Sequence, residues 1–478
     1  MRGGHTLPHR RSVALAVVVG LLAAVLPVSL PTSAQTLDAD PPEQGGRLGS
    51  AVAVDPDGLL MAVSEPGHGG GLGRVVVYSR ATPGAAWTQA QEILQPAVPA
   101  PILNSFGSSL ALGDNLLVIG VSDAASGGGP GRIHVHRRSG ASFLGGLAVD
   151  SPSATPDRFG ASVGVVDTDR VVVGAPLATT ADGQTGTAYL IDLSDGEPLP
   201  PTALSEITLP AGLEAGDQFG WALAVGADPD PWSIDRILAV GAPGTDDDAG
   251  AVHFFRPSFD ADWEIDGWVP AGDRFVDTGD RTGASLDASG YDVAITSTTA
   301  TTLRTRIVRF VWDTGVGGFA ATDLGEIGIP QAPDAGAASF LPVNSAVAID
   351  RDAVAIGDPD DGVVRVFRRT ASGGFDGAGT ETVAPDSGPR PGTRLGTSVA
   401  LWGTTVVAGA PGDTVPETGE PETAAGTVHA MRVPVRAVDD EVFTLVDTTV
   451  VIDVIANDWL QDPTERSVWV VDEFVRPV

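Results

Sequence analysis

The chain has 478 residues, of which 61 are Gly, 37 are Pro and none is Cys, and its formal net charge is -33. This charge excludes nucleic acid and anionic lipid as partners, because a strongly acidic surface repels both. The apolar content of 42% excludes wholesale disorder, and the absence of Cys excludes disulfides as a source of stability.

Residues 1–34 have the composition of a secretory signal peptide. Arg2, Arg10 and Arg11 form a basic start, SVALAVVVGLLAAVLPVSL is an apolar run, and the small residues TSA end it. A retained membrane anchor is the alternative. No later stretch is long and apolar enough to span a membrane. We therefore expect a secreted or cell-surface protein with no membrane span after the signal is removed.

A short motif recurs seven times after the signal. It begins with Phe-Gly or a close variant, as in RFGASVGV, and its glycine recurs at spacings of 52 to 63 residues. A period of this length that recurs so regularly indicates a repeat architecture. The motif positions are Gly49, Gly107, Gly160, Gly220, Gly283, Asn344 and Gly396.

Each repeat has the same order of elements. An alternating strand, a tight polar turn and an aliphatic strand ending in Gly-Ala-Pro precede a Gly- and Asp-rich loop, a third strand such as GAVHFF and a looser fourth segment. An aliphatic strand is expected to be buried on both faces. Four antiparallel strands in each of seven repeats predict an all-β, seven-bladed β-propeller over residues 35–433. Residues 35–42 are expected to supply the fourth strand that the seventh repeat lacks.

The motif residues are expected to have structural roles. The Phe is interpreted as a core plug between blades, and the Gly as a residue that permits close approach where a Cβ would clash. Gly-Ala-Pro ends a buried strand, because Ala is small and Pro cannot continue the ladder. The repeated motif therefore specifies a blade and is not itself a catalytic motif.

These repeats resemble the FG-GAP repeats of the integrin alpha-chain propeller and of many secreted bacterial proteins. The resemblance covers residues 35–433, and it implies a propeller that binds ligand through the loops of one face. Calcium-binding members carry D-x-[DN]-x-D-G-x-x-D between the first two strands, and no repeat here has that loop. Calcium therefore does not carry over from the family. The longest such loop, ADPDPWSIDR, leaves Asp228, Asp230 and Asp235 as candidate calcium ligands.

Residues 434–478 differ from the repeats. The segment RAVDDEVFTLVDTTVVIDVIANDW resembles the start of a bacterial cadherin-like or immunoglobulin-like module, through Asp439, Asp440 and the run VIAND. A complete sandwich of this kind needs about 100 residues. We therefore expect an incomplete β-sandwich-like segment. Truncation inside a domain is preferred over a remnant strand pair packed on the propeller.

The loops that follow Gly-Ala-Pro form the candidate ligand face. Connections between strands two and three lie at the same face of a propeller as those from strand four to the next blade, and here they are long and acidic. Solvated turns are the alternative for any single loop. The candidate ligand-face residues are Asp246, Asp247, Asp248, Asp358, Asp360, Asp361 and Asp413.

Three histidines occupy one register of the repeat. His134, His253 and His429 each fall three residues after the Gly that opens the third strand, where the third repeat has Tyr189. An identical register in separate blades indicates a structural role, so these residues are not expected to converge on one site.

Common enzyme motifs are absent from the sequence, which has no Cys nucleophile, HExxH, GxSxG or P-loop. We therefore expect that the chain is not an enzyme but a binding or adhesion protein, whose partner is an extracellular protein or carbohydrate. Two alternatives stay open. A polysaccharide-acting enzyme that uses the central pocket would be favoured by a convergent carboxylate pair beside His or Tyr. A structural surface-layer component would be favoured by self-association.

Overall fold

The computed structural model describes the chain between residues 34 and 433. Within that span it leaves out residues 39, 97–104, 123–129, 195–202, 228–235, 262, 278, 300–301, 314–317, 331–345, 371, 376–380, 386, 390 and 415–424. Most of the predicted signal peptide and all of segment 434–478 lie outside the described residues. The motif residue Asn344 and the candidate calcium ligands Asp228, Asp230 and Asp235 also lie outside them.

The described residues form seven four-stranded antiparallel sheets, which confirms the predicted all-β, seven-bladed propeller. The N-terminal strand is β1 (Gln35–Asp38). Blades 1 to 3 contain β2 (Val52–Val54), β3 (Leu60–Glu65), β4 (Arg74–Ser79), β5 (Thr88–Leu94); β6 (Phe106–Leu112), β7 (Leu116–Val121), β8 (Arg132–Ser139), β9 (Ser142–Asp150); and β10 (Ser162–Val165), β11 (Arg170–Ala175), β12 (Thr187–Asp192), β13 (Leu204–Glu206).

The remaining blades have the same order of strands. Blades 4 and 5 contain β14 (Leu223–Ala227), β15 (Arg236–Ala242), β16 (Ala251–Phe259), β17 (Ile265–Pro270); and β18 (Leu286–Ser289), β19 (Asp292–Thr298), β20 (Thr302–Asp313), β21 (Gly318–Pro330). Blades 6 and 7 contain β22 (Val347–Asp350), β23 (Ala353–Asp358), β24 (Val363–Arg368), β25 (Glu381–Val383); and β26 (Ser398–Trp402), β27 (Thr405–Ala410), β28 (Thr427–Arg432), completed by β1.

Contacts between blades and the burial of the strands show where each strand lies in the ring. The first strands of neighbouring blades contact one another all the way round, so they surround the central axis. The aliphatic second strands are buried along their whole length in β3, β11 and β27, as the sequence predicts for strands covered on both faces. The apolar core therefore lies between the blades and is distributed around the ring.

The N-terminal strand closes the ring. Strand β1 pairs antiparallel with β28, which places Gln35 opposite Ala430. The Gln35 side chain also reaches blade 1, where its Nε2 donates to the Trp87 carbonyl at 2.8 Å and its Oε1 accepts from the Trp87 N–H at 2.7 Å. The strand expected from residues 35–42 is thus confirmed at 35–38, and it joins blade 7 to blade 1.

The Phe-Gly motif lies at the contact between consecutive blades. Phe106, Phe159 and Phe219 are fully buried, each among apolar residues of two neighbouring blades. An added Cβ on the motif glycine Gly160 of blade 3 would lie 2.7 Å from the carbonyl oxygen of Arg132 in blade 2. The predicted roles of core plug and close approach are therefore both confirmed.

Serines two residues after the motif glycine link consecutive blades. Each donates its Oγ–H to the carbonyl oxygen of the motif glycine in the following blade at 2.8 Å. The pairs are Ser109–Gly160, Ser162–Gly220 and Ser398–Gly49. The last pair connects blade 7 to blade 1 and is a further polar link across the ring closure.

Two short helical turns connect strands two and three in blades 1 and 4. They are α1 (His68–Gly71) and α2 (Thr245–Asp248), and both contain left-handed backbone, with φ of 62° at Gly69 and 53° at Asp246. Glycine adopts this conformation freely, whereas other residues lose roughly 1–2 kcal/mol each. No helix in the described part of the chain has the length and hydropathy that crossing a membrane requires.

Candidate functional site

Blade 1 departs from the repeat at the end of its second strand. Blades 3, 4 and 7 end that strand with Gly-Ala-Pro, but blade 1 has Ser64-Glu65-Pro66, so a carboxylate stands in the place of a small apolar residue. Glu65 is fully buried. A buried carboxylate is costly unless charge and hydrogen bonds compensate it, so its surroundings determine what it does.

Arg74, the first residue of β4, compensates the charge of Glu65. Its Nε donates to Glu65 Oε2 at 2.5 Å, and its Nη1 donates to Glu92 Oε1 on β5 at 2.8 Å. The second oxygen of Glu65, Oε1, is buried and has no hydrogen-bond partner among the described residues. A Cβ on Gly46 would lie 2.2 Å from that oxygen, so backbone covers it closely.

His68 lies above this ion pair at the start of α1. Its Nδ1 is 3.3 Å from Oε1 of Glu43 and 3.9 Å from Oε2 of Glu65, and its Nε2 is 3.9 Å from Oε1 of Glu92. The N–H of Gly69 donates to the other oxygen of Glu43 at 2.7 Å, which fixes that carboxylate beside the imidazole. We refer to Glu43, Glu65, His68, Arg74 and Glu92 as the blade-1 cluster.

The blade-1 cluster perturbs the protonation of its members. Burial raises the pKa of Glu65, the negative charges of Glu43 and Glu92 raise it further, and Arg74 opposes both. Burial lowers the pKa of His68, as does the charge of Arg74, and these effects outweigh Glu43 and Glu92. The imidazole is therefore neutral at pH 7. Once it accepts a proton, the negative charges of Glu43 and Glu92 stabilise the imidazolium.

The cluster is partly open to solvent. The side chain of His68 is 16% exposed, and those of Glu43 and Glu92 are 34% and 36% exposed, whereas Glu65 and Arg74 are buried. Nδ1 of His68 is buried and makes no hydrogen bond with the described residues, so Glu43 acts on it through charge alone and Nε2 is the ring nitrogen left for a bound molecule. A neutral imidazole with one accessible nitrogen and an oriented carboxylate behind it is suited to general-base chemistry.

The Asp residues of α2 are exposed on the candidate ligand face. Asp246, Asp247 and Asp248 all have left-handed backbone, with φ of 53°, 58° and 69°. Asp246 pairs with Arg274 at 2.7 Å, and Asp248 approaches Arg281 at 3.8 Å. The arginines partly neutralise this acidic turn, and ligand binding by its carboxylates stays a prediction.

The other candidate ligand-face residues belong to blades 6 and 7. Asp358 is buried, takes the Ala position of Gly-Ala-Pro and pairs with Arg365 at 2.9 Å, while its pKa is raised by burial. Arg365 also binds the exposed Asp361 at 2.6 Å, and Asp360 beside it is exposed. Asp413 is buried and accepts a hydrogen bond from the Thr427 hydroxyl at 2.8 Å. The seven residues thus form three separate groups, two of which contain a buried structural carboxylate.

Metal ligands do not converge in the described part of the chain. No group of three or more His, Asp or Glu side chains there could hold a metal ion. The candidate calcium ligands Asp228, Asp230 and Asp235 lie outside the described residues, so calcium binding by that loop stays a prediction.

The repeated histidines pack against the motif phenylalanines. His134 contacts Phe106 edge-on with ring centroids 5.5 Å apart, and His253 contacts Phe219 in the same way at 5.6 Å. Burial lowers the pKa of each of these histidines to about 4. His429 is also buried and lies within hydrogen-bond distance of Thr427 and Thr36. These contacts are structural, as the shared register indicates.

The blade-1 cluster was not predicted from the sequence. Its members are spread over residues 43 to 92, on a loop, three strands and α1, so no short motif joins them. The available signal was Glu65 at the position where blades 3, 4 and 7 have the Ala of Gly-Ala-Pro. A carboxylate introduced into a buried repeat position requires a partner, and the fold supplies Arg74 and His68.

No family model matches the chain, and no curated protein matches its sequence. Similar solved structures include the periplasmic gluconolactonase of Pseudomonas aeruginosa, with 14% identity and a TM-score of 0.44 over 71% of this chain and 86% of that one. A protein provisionally named 6-phosphogluconolactonase from Bacteroides uniformis has 11% identity and a TM-score of 0.44 over the same shares. A functionally unknown protein from Desulfotomaculum acetoxidans has 12% identity and a TM-score of 0.39 over 73% and 90%.

These comparisons contradict the expectation that the chain is not an enzyme. The similar structures include proteins named as lactonases, so that expectation is withdrawn. Identities of 11–14% and TM-scores below 0.5 do not transfer lactone hydrolysis to this chain. The seven four-stranded sheets show the propeller. No family model matches, so the resemblance of the repeats to FG-GAP repeats stays unconfirmed.

Proposed function

We propose that the chain is a hydrolase whose general base is His68 in the blade-1 cluster. The observation that carries the proposal is a partly exposed imidazole, neutral at pH 7, with Glu43 and Glu65 beside its buried nitrogen. The candidate ligand face contains this cluster, since α1 connects strands two and three of blade 1. From the sequence, a convergent carboxylate pair beside His in the central pocket is the feature that favours an enzyme; the blade-1 cluster has such a pair, but at the ends of β3, β4 and β5.

The reaction class that fits is hydrolysis of an ester or lactone. Nε2 of His68 accepts a proton from water as the water oxygen attacks the carbonyl carbon. The carbon–oxygen bond to the leaving group then breaks, and the imidazolium returns the proton to the departing oxygen, which gives an acid and an alcohol. Glu43 and Glu65 act as positioning residues, because their charges lie at Nδ1 and stabilise the imidazolium.

The charge of the cluster restricts its substrates. Three carboxylates surround His68, and among the described residues only Arg74 opposes them, with its guanidinium already bound to Glu65 and Glu92. An anionic substrate would be repelled at this distance, whereas an uncharged one would not. We therefore propose an uncharged substrate that is rich in hydroxyl groups, such as a sugar lactone or an esterified polysaccharide.

Hydrolysis assays with gluconolactone and acetylated polysaccharides test this proposal. His68→Gln is expected to lower kcat/KM by about 100-fold or more, the usual contribution of a general base. Glu43→Gln should lower it less, because the base itself remains. Glu214→Gln is the matched control, since Glu214 is an exposed carboxylate in a connection of the same type before blade 4. Full activity of His68→Gln, or no hydrolysis of any substrate by the folded protein, would overturn the proposal.

We also propose a binding role for the acidic turn α2, which the exposure of Asp246, Asp247 and Asp248 favours. Three successive non-glycine residues in left-handed backbone are costly, and such strain concentrates at functional sites. In this proposal the chain is a secreted FG-GAP protein that recognises an extracellular protein or carbohydrate. A glycan and matrix-protein array, probed in calcium and again in EDTA, tests it. Equal binding by wild type and by a variant with all three Asp changed to Asn would contradict it.

A further inference from the structure

A cavity of about 500 Å³ opens at the opposite end of blade 1. It lies where β2 joins β3 and β4 joins β5, beside the tip of the β8–β9 hairpin of blade 2. Its size is within the range of pockets that bind small molecules. Its walls include Leu59, Ser79, Arg80, Ala86, Arg138 and Gly140. The blade-1 cluster is formed at the other end of the same strands, so this cavity is independent of the proposed active site.

Arg138 is the reachable cation of the cavity. Its Nε donates to the Gly140 carbonyl at 3.0 Å, and its Nη1 donates to Asp55 Oδ2 at 3.1 Å and to the Asp114 carbonyl at 3.2 Å. Its Nη2 makes no hydrogen bond with the described residues, and the side chain is 21% exposed. The guanidinium is therefore held in place on one edge and free to donate on the other.

Asp55 orients Arg138 and neutralises part of its charge. Its side chain is fully buried, and its Oδ1 already accepts from the N–H groups of Leu59 and Leu60 at 2.7 and 2.8 Å. Its remaining oxygen is bound to Arg138. Both oxygens of Asp55 are therefore engaged, and the carboxylate holds Arg138 in place while the Nη2 edge of the guanidinium stays open to an anion.

Arg80 adds a second positive charge beneath the cavity. Its guanidinium lies 4.3 Å from the ring centroid of Trp87, and its Nε donates to the Gly58 carbonyl at 2.6 Å. Its Nη2 is buried without a partner among the described residues. Burial lowers the pKa of Arg80 to about 10, which leaves it charged at neutral pH. Two arginines therefore meet at one cavity of a chain whose net charge is -33.

We infer that this cavity binds the carboxylate of a small acidic sugar, a uronic acid. The carboxylate pairs with the free edge of Arg138, and the positive charge of Arg80 supports it from below. The apolar walls from Leu59 and Ala86 contact the carbon face of the sugar ring. A uronic acid can come as a free acid or as the end of an acidic polysaccharide, and both present the same group.

Calorimetric titration of the full chain with glucuronate, and separately with glucose, tests this inference. We expect glucuronate to bind at least about 10-fold more tightly than glucose, because a charge-assisted hydrogen bond contributes about 1.5–3 kcal/mol. Added salt should weaken glucuronate binding and leave glucose unaffected. Titration with galacturonate and with an oligogalacturonide distinguishes the sources, since tighter binding of the oligomer assigns the cavity to polysaccharide ends and tighter binding of galacturonate assigns it to free acids.

Neighbouring arginines provide a matched pair of variants. Arg138→Gln is expected to weaken glucuronate binding at least about 10-fold. Arg137→Gln changes the net charge equally, but Arg137 points to blade 3, where it binds Asp169 at 2.9 Å, so binding should stay within about twofold. Equal losses in the two variants, or glucuronate binding no tighter than glucose, would overturn the inference. A folded Arg138→Gln protein that binds like wild type would also overturn it.

Discussion

Gly49 of blade 1 packs directly on Gly409 of blade 7. A Cβ on Gly49 would lie 2.8 Å from the Cα of Gly409 and 2.8 Å from the carbonyl oxygen of Thr427, and Gly49 has a φ of +86°. Gly396 and Gly357 meet in the same way between blades 6 and 7. The Phe-Gly of one blade and the Gly-Ala-Pro of the preceding blade are therefore two halves of one contact.

Gly49→Ala is expected to lower the free energy of unfolding by far more than the cost of placing an Ala in left-handed backbone. Gly45→Ala is the matched control, because Gly45 has a φ of +77° and an added Cβ there meets nothing within 4 Å. The control should lower the free energy of unfolding by about 1–2 kcal/mol. Gly49→Ala adds a clash with backbone that cannot move aside, so its loss should be at least about twice as large. Equal losses in urea unfolding would contradict this account of the motif.

The buried histidines predict a loss of stability in mild acid. Burial lowers the pKa of His134 and of His253 to about 4, whereas an unfolded histidine titrates near 6.5. The unfolded chain therefore takes up protons first, and the stability present above pH 6.5 falls as the pH drops toward 4. The expected loss is about 3 kcal/mol for each histidine.

The variant His134→Leu/His253→Leu isolates this contribution. Both ring nitrogens of His134 lack hydrogen-bond partners in the described structure, so an apolar residue of similar size should be accepted there. Chemical unfolding measures the free energy of unfolding of wild type and variant from pH 7 to pH 4. The contribution of the carboxylates is common to both proteins, so it cancels when the two pH dependences are subtracted. An acid sensitivity that is the same in both proteins would show that these histidines are not the cause.

Glu65 and Arg74 should be strongly coupled in stability. Arg74→Met leaves Glu65 buried without its partner and is expected to cost about 3–5 kcal/mol. The double variant Glu65→Ala/Arg74→Met restores the residue that blades 3, 4 and 7 have at this position, so it should recover most of that loss. Equilibrium unfolding of the two single variants and the double variant measures the coupling. A double variant no more stable than Arg74→Met alone would contradict the pairing.

The propeller could be predicted because its determinants recur along the sequence. Each motif Gly, each Gly-Ala-Pro and each aliphatic second strand repeats in register, and β1 was expected because blade 7 lacked a fourth strand. The segment 434–478 and the loop with Asp228 lie outside the described residues, so those predictions stay untested.

The blade-1 cluster and the arginine cavity could not be predicted in the same way. Glu43, Glu65 and Glu92 come together only because a loop, a second strand and a fourth strand end at one face. Arg138 reaches Asp55 across a blade boundary, over a separation of 83 residues. Such sites depend on single departures from the repeat, and the periodicity that reveals the fold carries no information about them.

Titration of the His68 imidazole by NMR tests the central claim most directly. The signal is assigned by its loss in His68→Gln, and the full chain is followed across pH in wild type, Glu43→Gln and Glu214→Gln. The account predicts a pKa below 6.5 in wild type, a lower value in Glu43→Gln because that carboxylate raises it, and no change in Glu214→Gln. A pKa at or above 6.5, or one that Glu43→Gln leaves unchanged, would contradict the proposed acid–base centre.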